Sequence, residues 1–156
     1  MLSTTKALEI MDALLNTKAK SSNSVTFPTN PYLALFTTVP NDDGSGYAEP
    51  SSEDYRRVLL NKTGFEGKQL LAGAKIETRE INGEQKKCAV VKNQEQILFP
   101  EALNTGYGEV KGFGIFDALT INSGNLIAWG ELTSSQTITK GEIPIFRIDE
   151  FEMMLA

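Results

Sequence analysis

Near the start of the chain, apolar residues recur at a helical interval. Ala7, Ile10, Met11, Leu14 and Leu15 fall at i, i+3, i+4, i+7 and i+8, the spacing of one apolar helix face, with Ser3, Thr4 or Thr5 available as N-cap. The spacing predicts a helix over residues 5–16. Asn16 to Ser24 is polar and Ser/Asn-rich, which stops the helix and reads as a linker. A helix this short is marginal in water, so its stripe must dock on its own domain or on a neighbouring subunit. These five residues are the interface candidates.

From Val25 onward the pattern becomes extended. Tyr32-Leu33-Ala34-Leu35-Phe36-Thr37 is a β-prone run between Pro31 and Pro40, apolar enough to be a central strand covered on both faces. Turn formers dominate Asn41 to Ser52, which predicts a long exposed loop before a strand over Tyr55 to Leu60. Lys75 to Ile81 and Glu84 to Val91 flank Asn82-Gly83, the pair that supplies both positive φ angles of a type I′ turn, so they form a β-hairpin with a charged tip. Further strands are expected over Ile97 to Phe99, Val110 to Phe116, Leu126 to Thr133, Thr137 to Thr139 and, as one long last strand, Ile143 to Leu155. Gly106, Gly108, Gly112 and Gly114 provide for bulges or close backbone approach. The expected fold is mainly β, a β-sandwich-like antiparallel domain over 25–156 preceded by a helix and linker arm over 1–24.

Composition narrows the function. A chain of 156 residues with 40% hydrophobic and 22% charged residues can bury a core. The formal net charge of −5 argues against nucleic acid or anionic lipid as the main partner. Histidine is absent, which removes Ser-His-Asp and Cys-His catalysis and imidazole metal sites. The single cysteine, Cys88, excludes an intrachain disulfide framework and reads as a small buried side chain. No signal-peptide pattern or membrane-spanning apolar run occurs, so a soluble chain made in a reducing cytoplasm is expected.

Local motifs add little chemistry. Gly106-Tyr107-Gly108-Glu109-Val110-Lys111 begins like a dinucleotide loop but ends in Lys111, with no helix pattern after it. No P-loop spacing exists, and no cofactor is expected. Asn41, Asp43, Ser45 and Gly46 match the leading places of a calcium loop, but Ser52 stands where a bidentate Glu is needed, so a solvated acidic turn is the better reading. Acid-catalysed glycan hydrolysis would need two carboxyls in one cleft from Asp117, Glu131, Asp149, Glu150 and Glu152. Alternating charge on the last strand more often marks an exposed strand face or a subunit interface than an active site. Tyr47, Tyr55, Tyr107 and Trp129 are the ligand-facing candidates of a carbohydrate-binding reading, with loop 41–52 as rim, although Trp129 inside a strand pattern favours packing.

The order of several segments is more telling than any one of them. Pro31-Tyr32-Leu33-Ala34-Leu35-Phe36-Thr37-Thr38-Val39-Pro40, an Asp/Gly-rich loop and Tyr55-Arg56-Arg57-Val58 are followed by Asn93, Ile97-Leu98-Phe99-Pro100 and Val110 to Ala118. Gly124-Asn125-Leu126-Ile127-Ala128-Trp129-Gly130-Glu131-Leu132 and Ile138-Thr139-Lys140-Gly141-Glu142 complete the series. Over residues 6–155 this order resembles a widespread tailed-bacteriophage family of tail fibre or minor virion proteins. The resemblance implies a non-enzymatic virion component, made in the cytoplasm of an infected bacterium. It would be associated with the tail or fibre, assemble as a homo-oligomer, for instance a trimer, and contact other virion proteins. Capsid decoration, a head fibre and a module that recognises host surface glycans are the alternatives; no nucleic acid or membrane partner is implied.

Overall fold

The computed structural model describes residues 28–155, so the predicted helix over 5–16 and the interface candidates Ala7, Ile10, Met11, Leu14 and Leu15 lie outside the described residues. Within them the chain is mainly β and antiparallel, as its strand and turn spacing predicts. The strands are β1 (Tyr32–Phe36), β2 (Val58–Leu59), β3 (Lys75–Ile81), β4 (Glu84–Lys92), β5 (Ile97–Leu98), β6 (Gly108–Phe116), β7 (Leu126–Ile138), β8 (Ile145–Phe146) and β9 (Glu152–Leu155). They group into two compact units, residues 28–59 with Pro100–Ile143, and Leu60–Phe99 with 144–155.

The first unit holds a four-stranded sheet in the order β2-β1-β6-β7. β1 is an inner strand, and Leu33 to Phe36 are buried, as a run without polar alternation requires. Ala34, Phe36, Phe116 and Trp129 form a core cluster against which Val39, Tyr47 and Leu126 pack. The Phe36 ring lies on Gly114, where an added Cβ would meet Cζ at 2.5 Å; a side chain there would displace the ring. The two segments expected over 126–133 and 137–139 are one strand, because β6 pairs along the length of β7 and a bulge between Val110 and Gly112 absorbs the mismatch.

Two expectations change here. The strand over Tyr55 to Leu60 shrinks to Val58–Leu59, since the Tyr55 hydroxyl turns in to accept the Leu35 amide at 2.9 Å. The loop after Pro40 is not exposed throughout. It folds on itself through Asn41 N to Ser45 O at 2.8 Å and a Thr38–Ala48 bridge, and Glu49 and Pro50 are buried.

In the second unit the hairpin forms as predicted, Asn82 and Gly83 taking φ of 52° and 79° between partners Ile81 and Glu84. β9 adds to the far side of β4, giving the sheet β3-β4-β9, and β5 pairs with β8. Leu60, Leu70, Cys88, Val90, Ile97, Phe99, Phe146 and Phe151 are buried, with Phe146 and Phe151 edge to face at 6.0 Å. The single strand expected over 143–155 is instead β8 and β9 separated by a turn, with Asp149 at φ 67°. Burying Phe151 forces that break, since an uninterrupted strand would keep its backbone extended and away from Asn93.

Candidate functional site: buried clamps and exposed faces

Glu49, Tyr55 and Arg57 make a buried polar centre in the first unit. The Arg57 and Glu49 side chains are fully enclosed, and they are joined through Nη2 to Oε1 and through Nε at 3.1 and 3.2 Å. Arg57 Nη1 donates to the carbonyls of Ala118 and Ser123 at 2.7 and 3.0 Å, and the guanidinium lies 3.7 Å from the Phe116 ring centroid. The Tyr55 hydroxyl donates to Glu49 Oε2 at 3.0 Å while accepting the Leu35 amide. Burial, reinforced by the Glu49 charge, pushes this phenol far above its usual range, so it stays a neutral donor. One arginine thus ties the loop before β2 to the segment after β6. The centre is sealed from solvent and its carboxylate is saturated, which suits a staple rather than a reaction site.

Asn93 does the corresponding work in the second unit. Its Nδ2 donates to the carbonyls of Glu95 and Arg147 at 2.8 and 2.7 Å, and its Oδ1 accepts the Phe151 amide at 2.9 Å. The backbone carbonyl of Asn93 accepts the Asp149 amide at 3.0 Å. One enclosed amide therefore fixes the turn between β8 and β9 against the end of β4. Nearby Glu95 is buried, and its Oε1 has no hydrogen-bond partner among the described residues.

The aromatic candidates are not assembled as a platform. Tyr55, Tyr107 and Trp129 are buried, and Tyr55 stands edge to face with Tyr107 at 5.6 Å. Tyr47 is half-buried against Phe36 and Phe116 at 5.2 and 5.3 Å. Stacking on a sugar needs an open ring face, and packing inside the first unit has taken the faces of these rings. Of the carboxyls considered for hydrolysis, Asp117 and Glu131 belong to the first unit and Asp149, Glu150 and Glu152 to the second, and three of them are engaged by neighbouring groups. Asp117 accepts the Asn125 amide at 2.6 Å, Glu150 accepts the Arg147 amide at 2.7 Å, and Glu152 pairs with Arg79 at 2.7 Å. Glu131 stands on β7 and Asp149 in the β8–β9 turn.

In the acidic loop, Asp43 Oδ1 takes both the amide and the hydroxyl of Ser45, at 2.9 and 2.6 Å; these bonds hold its carboxyl below the usual range. Among the described residues, no three acidic, cysteine or histidine side chains gather in a ligand-like group. Gly106 belongs to a backbone crossing, where a Cβ would meet the Ile138 carbonyl at 2.5 Å.

The sheet β3-β4-β9 has two unlike faces. Paired residues share a face, so Glu77, Arg79, Cys88, Val90, Lys92 and Glu152 lie together. Arg79 bridges Glu77 and Glu152 at 2.6 and 2.7 Å, and Lys92 stands 3.6 Å from each. The hydrogen bond from Arg79 holds the Glu77 carboxyl below the usual range. On the other face, Ile76, Ala89 and Leu155 form one cross-strand row and Val91 and Met153 the next.

Among the described residues no helix is long and apolar enough to cross a membrane. No curated protein matches the chain. The family model described as podophage GP4 fiber I protein gp80 matches residues 1–154, from the N-terminal stripe into the last strand. That match covers nearly all of the 156 residues, and the chain belongs to this family of bacteriophage fibre proteins, components of the virion.

Proposed function

We propose that the chain is a non-catalytic structural component associated with the tail or fibre of the phage particle, assembling as a homo-oligomer and holding other virion proteins. The observation that carries this reading is the family match over residues 1–154. The geometry supports it: each unit is internally stapled by an enclosed polar clamp, and its polar chemistry is spent on holding loops in place. Rigid elements suit a part whose task is to transmit position, and repeated copies turn modest contacts into firm attachment by effective concentration.

The test is direct. Mass spectrometry of purified particles should find the chain, labelling should place it on the tail or its fibres, and light scattering of the purified chain should give a mass of more than one copy. A chain that is monomeric at high concentration and missing from particles overturns the proposal. Label confined to the head favours a decoration role instead.

A further inference from the structure

Among the described residues no strand pairs with the outer side of β3, the first strand of the sheet β3-β4-β9. β3 runs from Lys75 to Ile81 without proline, glycine or a register shift, and Lys75, Ile76, Thr78 and Glu80 are exposed. The hairpin turn decides which backbone groups lie on that edge. A two-residue turn makes its flanking residues, Ile81 and Glu84, a hydrogen-bonded pair, and such pairs alternate along an antiparallel ladder. Lys75, Glu77, Arg79 and Ile81 therefore bond to β4, whereas Ile76, Thr78 and Glu80 direct their N–H and C=O groups outward. A bare row of donors and acceptors is a template for one more strand.

The charge pattern of this edge is complementary to itself about Thr78. Laid antiparallel on a second β3 with Thr78 opposite Thr78, each Glu77 faces Arg79 of the other copy. The outward residues then meet one another, Thr78 with Thr78 and each Ile76 with Glu80, and every pair exchanges two hydrogen bonds. Other registers fail. Centring on Glu77 sets Glu77 against Glu77 and Lys75 against Arg79, and centring on Arg79 brings two guanidinium groups together. Centres between residues oppose outward groups to groups already bonded to β4. The charges are also held ready: within one copy Arg79 bridges Glu77 and Glu152 at 2.6 and 2.7 Å, and Lys92 stands 3.6 Å from each carboxylate. We infer that two copies of this chain join through their β3 edges, in the register centred on Thr78, into one continuous sheet. This rests on the assembly reading above and names one of its contacts, an isologous two-fold in which the same strand serves both copies.

The experiment uses the full chain and reads both register and charge. Under gentle oxidation Thr78→Cys should give a disulfide-linked dimer, because the two Cα atoms of this pair stand about 5.5 Å apart, within disulfide reach. Glu80→Cys should not, since its copies lie four residues out of register, about 13 Å apart. Cys88 is buried and remains a bystander. By sedimentation, Glu77→Arg and Arg79→Glu should each weaken self-association about tenfold, because each sets like charges opposite one another at both ends of the pairing. An equimolar mixture of these two variants should recover it, since each then meets its opposite. That recovery shows both chains folded. Thr78→Pro, which removes the central outward N–H and leaves the bonds to β4 intact, should weaken self-association as well. Equal dimer yields from Thr78→Cys and Glu80→Cys, or charge variants that self-associate as the wild type does, overturn this inference and leave the assembly reading standing. A mixture of the charge variants that associates no better than either alone overturns the pairing of Glu77 with Arg79. A wild-type chain that never self-associates overturns both readings together.

Discussion

Replacing Arg57 tests whether the enclosed polar centre holds the first unit together. Arg57→Ala strands the Glu49 carboxylate in a site without water, removes the donor shared by the Ala118 and Ser123 carbonyls, and strips the cation from the Phe116 ring. Breaking a buried ion pair from one side costs roughly 3–5 kcal/mol, mostly for the uncompensated charge. With a urea slope near 2 kcal/mol per molar, a loss of about 4 kcal/mol lowers the midpoint by about 2 M. Trp129 is the only tryptophan and packs beside Phe116, so its fluorescence follows this unit. The paired variant Glu49→Leu with Arg57→Met should cost less than Arg57→Ala alone, because no lone charge remains. A midpoint shift under about 0.5 M for Arg57→Ala, or a double variant equal to the sum of the singles, would refute the clamp.

Asn93→Ala should destabilise the second unit by about 3 kcal/mol, since buried partners lose their bonds, and the Phe151 amide should exchange much faster by NMR; unchanged exchange would count against the clamp. Gly114→Ala forces a Cβ into the Phe36 ring and should cost about 1–3 kcal/mol in thermal unfolding, whereas Gly73→Ala, with open space around it, should be close to neutral. The folded-state pKa of Tyr55 is raised above the unfolded value of 10.0, so its contribution is complete below pH 10 and declines as pH rises above it. Stability should therefore fall by up to about 1.4 kcal/mol per pH unit in that alkaline range, and Tyr55→Phe should remove this part of the slope. A slope identical in both proteins would assign it to other groups.

Local signals were legible in the sequence wherever the answer depends on a few neighbouring residues. Asn82-Gly83 specifies its turn because the required φ angles are a property of the backbone at those two positions, and the unbroken apolar run at Leu33 to Phe36 specifies an inner strand because nothing in it tolerates water. The order of segments along the chain likewise resembles a phage fibre family, and a fibre-family model matches residues 1–154.

What the sequence alone could not decide was where polar and aromatic side chains end up. Arg57 is one of two adjacent arginines in the strand expected over Tyr55 to Leu60, yet it is enclosed while Arg56 is exposed, because only the fold brings Glu49, the Ala118 and Ser123 carbonyls and Phe116 around it. Tyr55 and Tyr107 offer rings that could meet a ligand or fill a core, and only Trp129 carries a strand pattern that favours packing; their partners are remote in sequence and all three are buried. The break between β8 and β9 depends on Asn93, more than fifty residues upstream, for which no local pattern exists. Backbone preference is local and can be read one residue at a time, whereas burial depends on contacts between distant segments, and only the tertiary structure brings those segments together.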